Sequence, residues 1–414
     1  MGAAKKDAGG CWPTQEQRLL LRASLLRGQG ATKAWQEWRS RADIQILDRG
    51  SLRLLPLLYR NLRTHGVDDP LMDRFKGFYR FTWYKNQMLF QTMGNLLVPF
   101  RQAGIQTLLF KGAALILLYY RDLGLRPMDD FDVLVPTDRA FEAIHLLQRL
   151  GWRPMRAGGR FRRVPDRPQA PLFSLTHGKP FGNGAGRKVD LHWHLLHECT
   201  GANADDDFWA AAAATQFQNT SVYVMNPTDE LLNVCIHGAK WDILPPLRWV
   251  ADAMKILETS NSSLDWNRLI AQVERRRLAL PLRAALHYLR DELDAPVPPE
   301  TLKGLDQIRA TKLEQIDFGV VTHPRRPIGP IRRLCHYYLN YLRQFDGAAP
   351  GRPRFGFLNY LKHRWGLRHL WELPFYAMAR LRRSARKTLR TIHNGGGFSR
   401  KDDRGDRPSQ PEKA

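Results

Sequence analysis

The segment 109-LFKGAALILLYYRDLGLRPMDDFDVLVP-136 carries aspartates inside an apolar run. It starts with a short apolar stretch, turns at Lys111-Gly112, continues as a helix-like segment, and ends in a second apolar stretch that contains Asp130 and Asp132. Ionised carboxylates in apolar surroundings are costly unless a cation meets them. Side chains two apart in a strand point to the same face, with Cα atoms about 7 Å apart. The pair therefore predicts a clamp for a divalent cation.

A third carboxylate follows in the strand-like stretch 187-RKVDLHWHL-195, which contains Asp190. If this strand lies beside the first, three carboxylates can hold two Mg²⁺ ions, as phosphoryl transfer requires. The turn at Lys111-Gly112 would then present backbone N–H groups and a helix N-terminus to the same sheet edge, where phosphates bind. These stretches predict a magnesium site next to a phosphate site.

The same strand keeps a different metal site open. His192 and His194 share the strand face of Asp190 and have the spacing of metal ligands, so a zinc hydrolase is an alternative function. The other interpretation is that both histidines orient Asp190 or line its pocket.

Hydrophobic spacing divides the chain into regions of different structure. Apolar residues recur at three and four positions before residue 100, strand-like runs alternate with helices after Gly104, and helical spacing returns from Asp206 to about Asp346. We therefore predict a helical N-terminal region, a catalytic core, a helical C-terminal domain and a basic tail that is disordered from about residue 395, with bounds 1–100, 101–200, 201–346 and 347–414.

Composition limits the class of protein. The chain has 414 residues, of which 43% are hydrophobic and 25% charged, as in ordinary globular proteins. Its four cysteines show no Cys-x-x-Cys spacing, which argues against a disulfide framework or a thiolate zinc site. Neither a signal peptide nor a membrane span is evident. A cytoplasmic enzyme is the expectation.

The net charge of +24 is concentrated towards the C-terminus, where residues 352–401 hold thirteen Lys or Arg and one acid, Glu372. A solvated basic face on a packed helix, an anionic membrane surface and a nucleic-acid patch all fit this pattern. A non-catalytic polyanion-binding protein therefore stays open as a third function. If the tail packs on the helical domain instead, its aromatic residues are expected to be buried there, namely Trp365, Trp371, Phe375 and Tyr376.

Two motifs, 109-LFKGAALI-116 and 125-LRPMDDFDVLV-135, resemble the uncharacterised nucleotidyltransferase family of the DNA polymerase beta superfamily. The segments 53-RLLPLLYRNL-62, 189-VDLHWHL-195 and 237-HGAKWDILPPLRWVADAMKIL-257 are similar to its flanking blocks, so the resemblance covers about residues 15–300. It implies an α+β fold with a polymerase-beta-like core of a small mixed sheet and helices, flanked by helical regions. Asp130 and Asp132 correspond to the metal-binding pair and Asp190 to the third carboxylate.

The resemblance implies transfer of a nucleoside monophosphate from a nucleoside triphosphate to an acceptor hydroxyl, with release of pyrophosphate. The acceptor is not indicated by the sequence. The wider superfamily has a serine after the glycine of the turn, whereas this chain has Lys111-Gly112 followed by alanine, so Lys111 is expected to replace the hydroxyl at the phosphates or to extend from the sheet edge. Arg126 is a phosphate ligand or a structural partner of Asp129 or Asp122. Lys240 is expected to close over the nucleotide or acceptor, or to join a polar network between helices.

Overall fold

The structure is a computed structural model of the chain. It describes residues 11–155, 173, 175–201, 203–240, 246–322, 330–344, 353–379 and 382. The predicted disorder from about residue 395 lies outside the described residues.

The N-terminal region is helical, as its spacing predicts. Thr14 caps the first helix, and its side chain and that of Gln17 each accept a hydrogen bond from the other's backbone N–H. Leucines and tryptophans on the inner faces, among them Leu20, Trp38 and Leu58, are almost fully buried. The helices are α1 (Gln15–Leu25), α2 (Gly28–Arg41), α3 (Arg49–Leu52), α4 (Leu55–Thr64) and α5 (Met72–Gln102).

A seven-stranded mixed sheet follows. Its strands are β1 (Leu108–Phe110), β2 (Phe131–Leu134), β3 (Arg153–Pro154), β4 (Gly178–Gly182), β5 (Lys188–His192), β6 (Ala213–Phe217) and β7 (Thr220–Val224), in the spatial order β3-β4-β5-β2-β1-β7-β6. The central strands run antiparallel between β1 and β2 and parallel between β2 and β5. Helices in this part are α6 (Gly112–Leu115), which continues as a π-helical turn (Ile116–Tyr120), α7 (Ala140–Arg149) and α8 (Asp206–Ala210).

The remaining helices pack mainly against one another, and α10 and α12 also contact α1. They are α9 (Pro227–Gly238), α10 (Arg248–Ser260), α11 (Trp266–Arg275), α12 (Ala279–Leu293), α13 (Pro299–Gln307), α14 (Lys312–Thr322), α15 (Pro330–Leu342) and α16 (Pro353–Trp365). One large apolar core joins α1 and α4 to α9, α10 and α12, and a second lies between α5, α7 and the strands. No helix in the described part of the chain is long and apolar enough to cross a membrane.

One local expectation differs from the structure, and another is confirmed with a change of helical geometry. The chain is not helical throughout from Asp206, because β6 and β7 form a hairpin that pairs with β1 and completes the sheet. The apolar run after Gly112 is a helix, as expected, although it widens to π-helical geometry.

The C-terminal aromatic residues divide between buried and exposed positions. Leu361 and Leu373 are buried around Tyr341 in a small separate core, and Trp365 and Tyr376 lie against each other with ring centroids 5.2 Å apart. Trp371 and Phe375 are 65% and 66% exposed, so the expectation that they pack on the helical domain is wrong.

Candidate active site

Two of the three predicted carboxylates lie opposite each other at the centre of the sheet. Strand β2 runs parallel to β5, and the register pairs Asp132 with Asp190. Oxygen atoms of these two residues and a ring nitrogen of His192 all lie within 4.8 Å of one another, in an arrangement that could hold a metal ion. Asp130 precedes the first residue of β2 and lines the same cleft, so the structure brings all three predicted carboxylates together.

Asp132 is the buried member of the set and has two partners. Lys111 Nζ lies 2.8 Å from its Oδ1, and His192 Nε2 lies 3.2 Å from the same oxygen. Burial alone would raise the pKa of Asp132, but the charge of Lys111 and the hydrogen bond with His192 outweigh it and hold the pKa well below its ordinary value. Burial lowers the pKa of His192, so a neutral imidazole donates to Asp132.

Asp130 and Asp190 have the opposite electrostatic character. Burial and the neighbouring Asp132 raise the pKa of Asp130. Burial, followed by the charges of Asp132 and Asp130, raises the pKa of Asp190 to about 7. Carboxylates that repel one another in a partly buried site are stabilised by a cation between them, so the donor set fits a hard divalent ion bound by oxygen atoms.

The turn between β1 and α6 has an uncommon conformation. Lys111 has φ 52° and ψ −127°, which a side chain with a Cβ rarely adopts. Its backbone N–H donates to Oε1 of the buried Glu230, at 3.1 Å, so this N–H does not face the phosphate site as expected. A Cβ at Gly112 would lie 2.9 Å from both Arg126 Nη1 and the Met128 methyl group, which explains the need for glycine there.

Arg126 is held by a partner that the sequence did not indicate. Its Nε and Nη2 donate to the two oxygens of Asp252 at 2.7 and 2.8 Å, and Tyr120 donates to the same carboxylate. Burial alone would lower the pKa of Arg126, but Asp252 raises it above the ordinary value. The expected pairing with Asp129 or Asp122 is wrong, because Arg126 donates to Asp252 on α10 instead.

The loop that leads into β2 is fixed by Asn86, which is fully buried on α5. Its amide nitrogen donates to the carbonyl oxygens of Leu123 and Arg126, and its Oδ1 accepts from Met128 N–H. Arg248 adds a hydrogen bond of 2.9 Å to the Pro127 carbonyl oxygen. These contacts position the backbone immediately before Asp130.

The carboxylates line a cleft of about 890 Å³, and four arginines also line it. Burial, together with the nearby Arg248 and Arg49, lowers the pKa of Arg53 to about 10. Burial and the charge of Arg126 likewise lower the pKa of Arg248. Crowded cations of this kind favour an anionic ligand. The residue-level prediction missed Arg53 and Arg248, although both lie in the segments 53–62 and 237–257 that carry the family resemblance.

The remaining predicted residues are held by ion pairs and hydrogen bonds. Lys240 lines the cleft and pairs with the buried Glu198 at 2.7 Å, so it belongs to a polar network. His194 pairs through Nδ1 with Asp205 at 2.7 Å and through Nε2 with the Phe173 carbonyl oxygen at 2.8 Å. With both ring nitrogens engaged, His194 cannot act as a ligand, and the alternative His-x-His zinc site is not formed.

Comparison with known proteins identifies the family of the chain. A comparison with curated proteins gave no match. Among solved structures, the antibiotic-resistance factor ANT(2'')-Ia, known in solution and described with substrate-regulated conformation dynamics, matches at 15% identity and a TM-score of 0.31, covering 50% of this chain and 98% of that one. Residues 51–294 match the family described as uncharacterised nucleotidyltransferase, which confirms the resemblance of the two motifs around the carboxylates. Since that match spans more than half of the chain, the protein belongs to this nucleotidyltransferase family and is an enzyme with an α+β fold.

Proposed function

We propose that the protein transfers a nucleoside monophosphate from a nucleoside triphosphate to an acceptor hydroxyl in a Mg²⁺-dependent reaction that releases pyrophosphate. The observation that supports this most directly is that Asp130, Asp132 and Asp190 line one cleft together with several arginines. Carboxylates suit the metal ions of a nucleoside triphosphate, and arginines suit its phosphates.

In this proposal Asp130 and Asp132 hold two Mg²⁺ ions and Asp190 holds one of them. When bound, the ions neutralise the triphosphate and polarise the phosphorus that is attacked. The fit rests on the oxygen donors and on the raised pKa values of Asp130 and Asp190, which mark a site that gains from added positive charge.

The side chains of the cleft divide the other tasks. Arg53 and Arg248 bind the phosphates, and Lys111 reaches them from the side of Asp132. Arg126 is oriented by Asp252, and its Nη1 lies beside Gly112 at the phosphate end of the turn.

In this proposal Asp190 also accepts the proton. The acceptor oxygen attacks the α-phosphorus, the bond to the bridging oxygen of the β-phosphate breaks, and pyrophosphate leaves with that electron pair. The acceptor proton passes to a carboxylate oxygen of Asp190, which acts as the general base.

Nucleotide binding tests this proposal directly. We expect Asp130→Asn to abolish Mg²⁺-dependent binding of nucleoside triphosphates measured by calorimetry, because it removes a ligand of both ions. The exposed Asp138→Asn is a control of the same chemistry outside the cleft and should bind like wild type. Equal affinities of wild type and Asp130→Asn would refute the metal role. Labelled nucleoside triphosphates in a cell extract, followed by isolation of the labelled product, would identify the acceptor.

A further inference from the structure

A second groove, of about 170 Å³, opens directly beside the catalytic cleft. Arg49, Arg53 and Met128 line both the cleft and this groove, so the two spaces adjoin. We call it the side groove. Three helices contribute to its lining, with Leu52 on α3, Pro56 on α4, and Phe78 and Phe81 on α5.

The side groove has an aromatic surface that nothing in the described chain covers. The Phe81 side chain is 62% exposed although it is wholly apolar, and Lys85 Nζ lies 5.8 Å from its ring centroid. An exposed aromatic ring next to a catalytic cleft is a surface on which a flat ligand can stack.

The rim of the side groove carries fixed hydrogen-bonding groups. The Asp129 carboxylate forms ion pairs with Arg49 Nη2 at 3.1 Å and with Lys85 Nζ at 3.2 Å, and it also pairs with Arg53. These charges surround an apolar interior, which is the usual composition of a small-molecule site. Carboxylate and guanidinium groups can pair with the polar edge of a heterocycle whose face rests on apolar walls.

The position of the side groove assigns it to one end of the substrate. An acceptor must reach Asp190, which lies on β5 and lines the cleft but not the side groove. The side groove adjoins the cleft at Arg49, Arg53 and Met128. A nucleotide whose base enters the side groove therefore leaves the part of the cleft at Asp190 to the acceptor.

We propose that the side groove binds the nucleobase of the nucleoside triphosphate, with the base stacked on Phe81 and its polar edge facing Asp129. This inference rests on the proposed nucleotidyl transfer. It assigns the nucleobase to the side that Arg53 shares with the cleft and the acceptor to the part of the cleft at Asp190.

The experiment measures the binding of two kinds of probe to the intact protein in the presence of Mg²⁺. The first kind is each of the four common ribonucleoside triphosphates, and the second is inorganic tripolyphosphate, which has no base. Phe81→Ala should weaken nucleotide binding by about 5-fold or more, because stacking on an aromatic side chain contributes this much per base, and should leave tripolyphosphate binding unchanged. Phe81→Trp should keep or improve nucleotide binding. Tyr84→Ala is the matched control, since Tyr84 is 61% exposed on the same helix but does not line the side groove.

Each outcome has a defined meaning. Wild-type protein that binds nucleotide more tightly than tripolyphosphate, with the difference lost in Phe81→Ala and kept in Tyr84→Ala, supports the base site. Equal nucleotide binding by wild type and Phe81→Ala overturns the base site and leaves the proposed function standing. If wild type binds neither probe, the proposed function fails, and the base site fails with it.

Discussion

Replacing Glu230 by glutamine should change how the stability of the protein depends on pH. Glu230 is 1% exposed, and its Oε1 accepts the backbone N–H of Lys111. Burial raises the pKa of Glu230 from its ordinary value of 4.5 to about 8, although the hydrogen bond from Lys111 N–H by itself would lower it. The folded protein therefore holds a proton on Glu230 between pH 4.5 and 8 that the unfolded chain releases.

The sign of the effect follows from this difference. Since the folded state binds the extra proton, the free energy of unfolding falls as pH rises through this range, by about 1.4 kcal/mol per pH unit, or roughly 3 kcal/mol between pH 5 and 7. The loss is complete above pH 8. Glu230→Gln keeps an oxygen acceptor for Lys111 N–H and has no ionisation, so its stability should not fall in this way.

Urea unfolding of wild type and Glu230→Gln from pH 5 to 9 measures the difference. We expect the free energy of unfolding of the variant, minus that of wild type, to rise from pH 5 to 8 and to stay constant above pH 8. This change is expected whatever the difference is at pH 5. The exposed Glu300→Gln is the control and should give a curve parallel to that of wild type. Parallel curves for wild type and Glu230→Gln would refute the assignment of a protonated, buried Glu230.

Three further outcomes can be measured. Because the raised pKa of Asp190 is about 7, protons should compete with Mg²⁺ below neutrality, so that Mg²⁺ affinity by calorimetry falls as pH is lowered and Asp190→Asn flattens this dependence. His192→Ala should bind no less zinc than wild type by elemental analysis; stoichiometric zinc lost in this variant would revive the zinc hydrolase. Truncation before residue 352 should lower the melting temperature, because it removes Tyr360 and Leu373 from a small core in which each large side chain contributes about 2 kcal/mol. If truncation instead leaves the melting temperature unchanged and abolishes salt-sensitive binding to DNA, RNA or anionic vesicles, the tail is a polyanion site.

The sequence predicted the central strands well because strand parity is a local property. Apolar residues alternate with Asp130, Asp132 and Asp190 in runs too short for helices, and this spacing directs the carboxylates to one face. The prediction of a three-carboxylate site assumed that β2 and β5 are neighbours in the sheet. The structure shows that they are, with Asp132 paired with Asp190. Local pattern and family resemblance agreed on the same three residues.

Partners that lie far apart in the chain could not be predicted in the same way. Arg126 and Asp252 are separated by 126 positions, and Asn86 contacts a loop about 40 positions away. Nothing in the spacing near Arg126 distinguishes Asp252 from the nearer Asp122, because the choice depends on how α10 packs against the π-helical turn. Pairings of this kind are decided by tertiary packing rather than by local sequence.

The structure also separates the two aspartates that the sequence treated as equivalent. Asparagine at position 130 should leave the fold intact, because the raised pKa of Asp130 means that the folded protein gains when this charge is lost. Asp132 differs, because its carboxylate balances the half-buried ammonium of Lys111 and accepts from His192. An asparagine there would leave Lys111 without a counter-charge, at a cost of roughly 3 kcal/mol or more for a buried pair. Loss of activity in Asp132→Asn would therefore mix metal binding with stability, whereas Asp130→Asn reports on the metal alone.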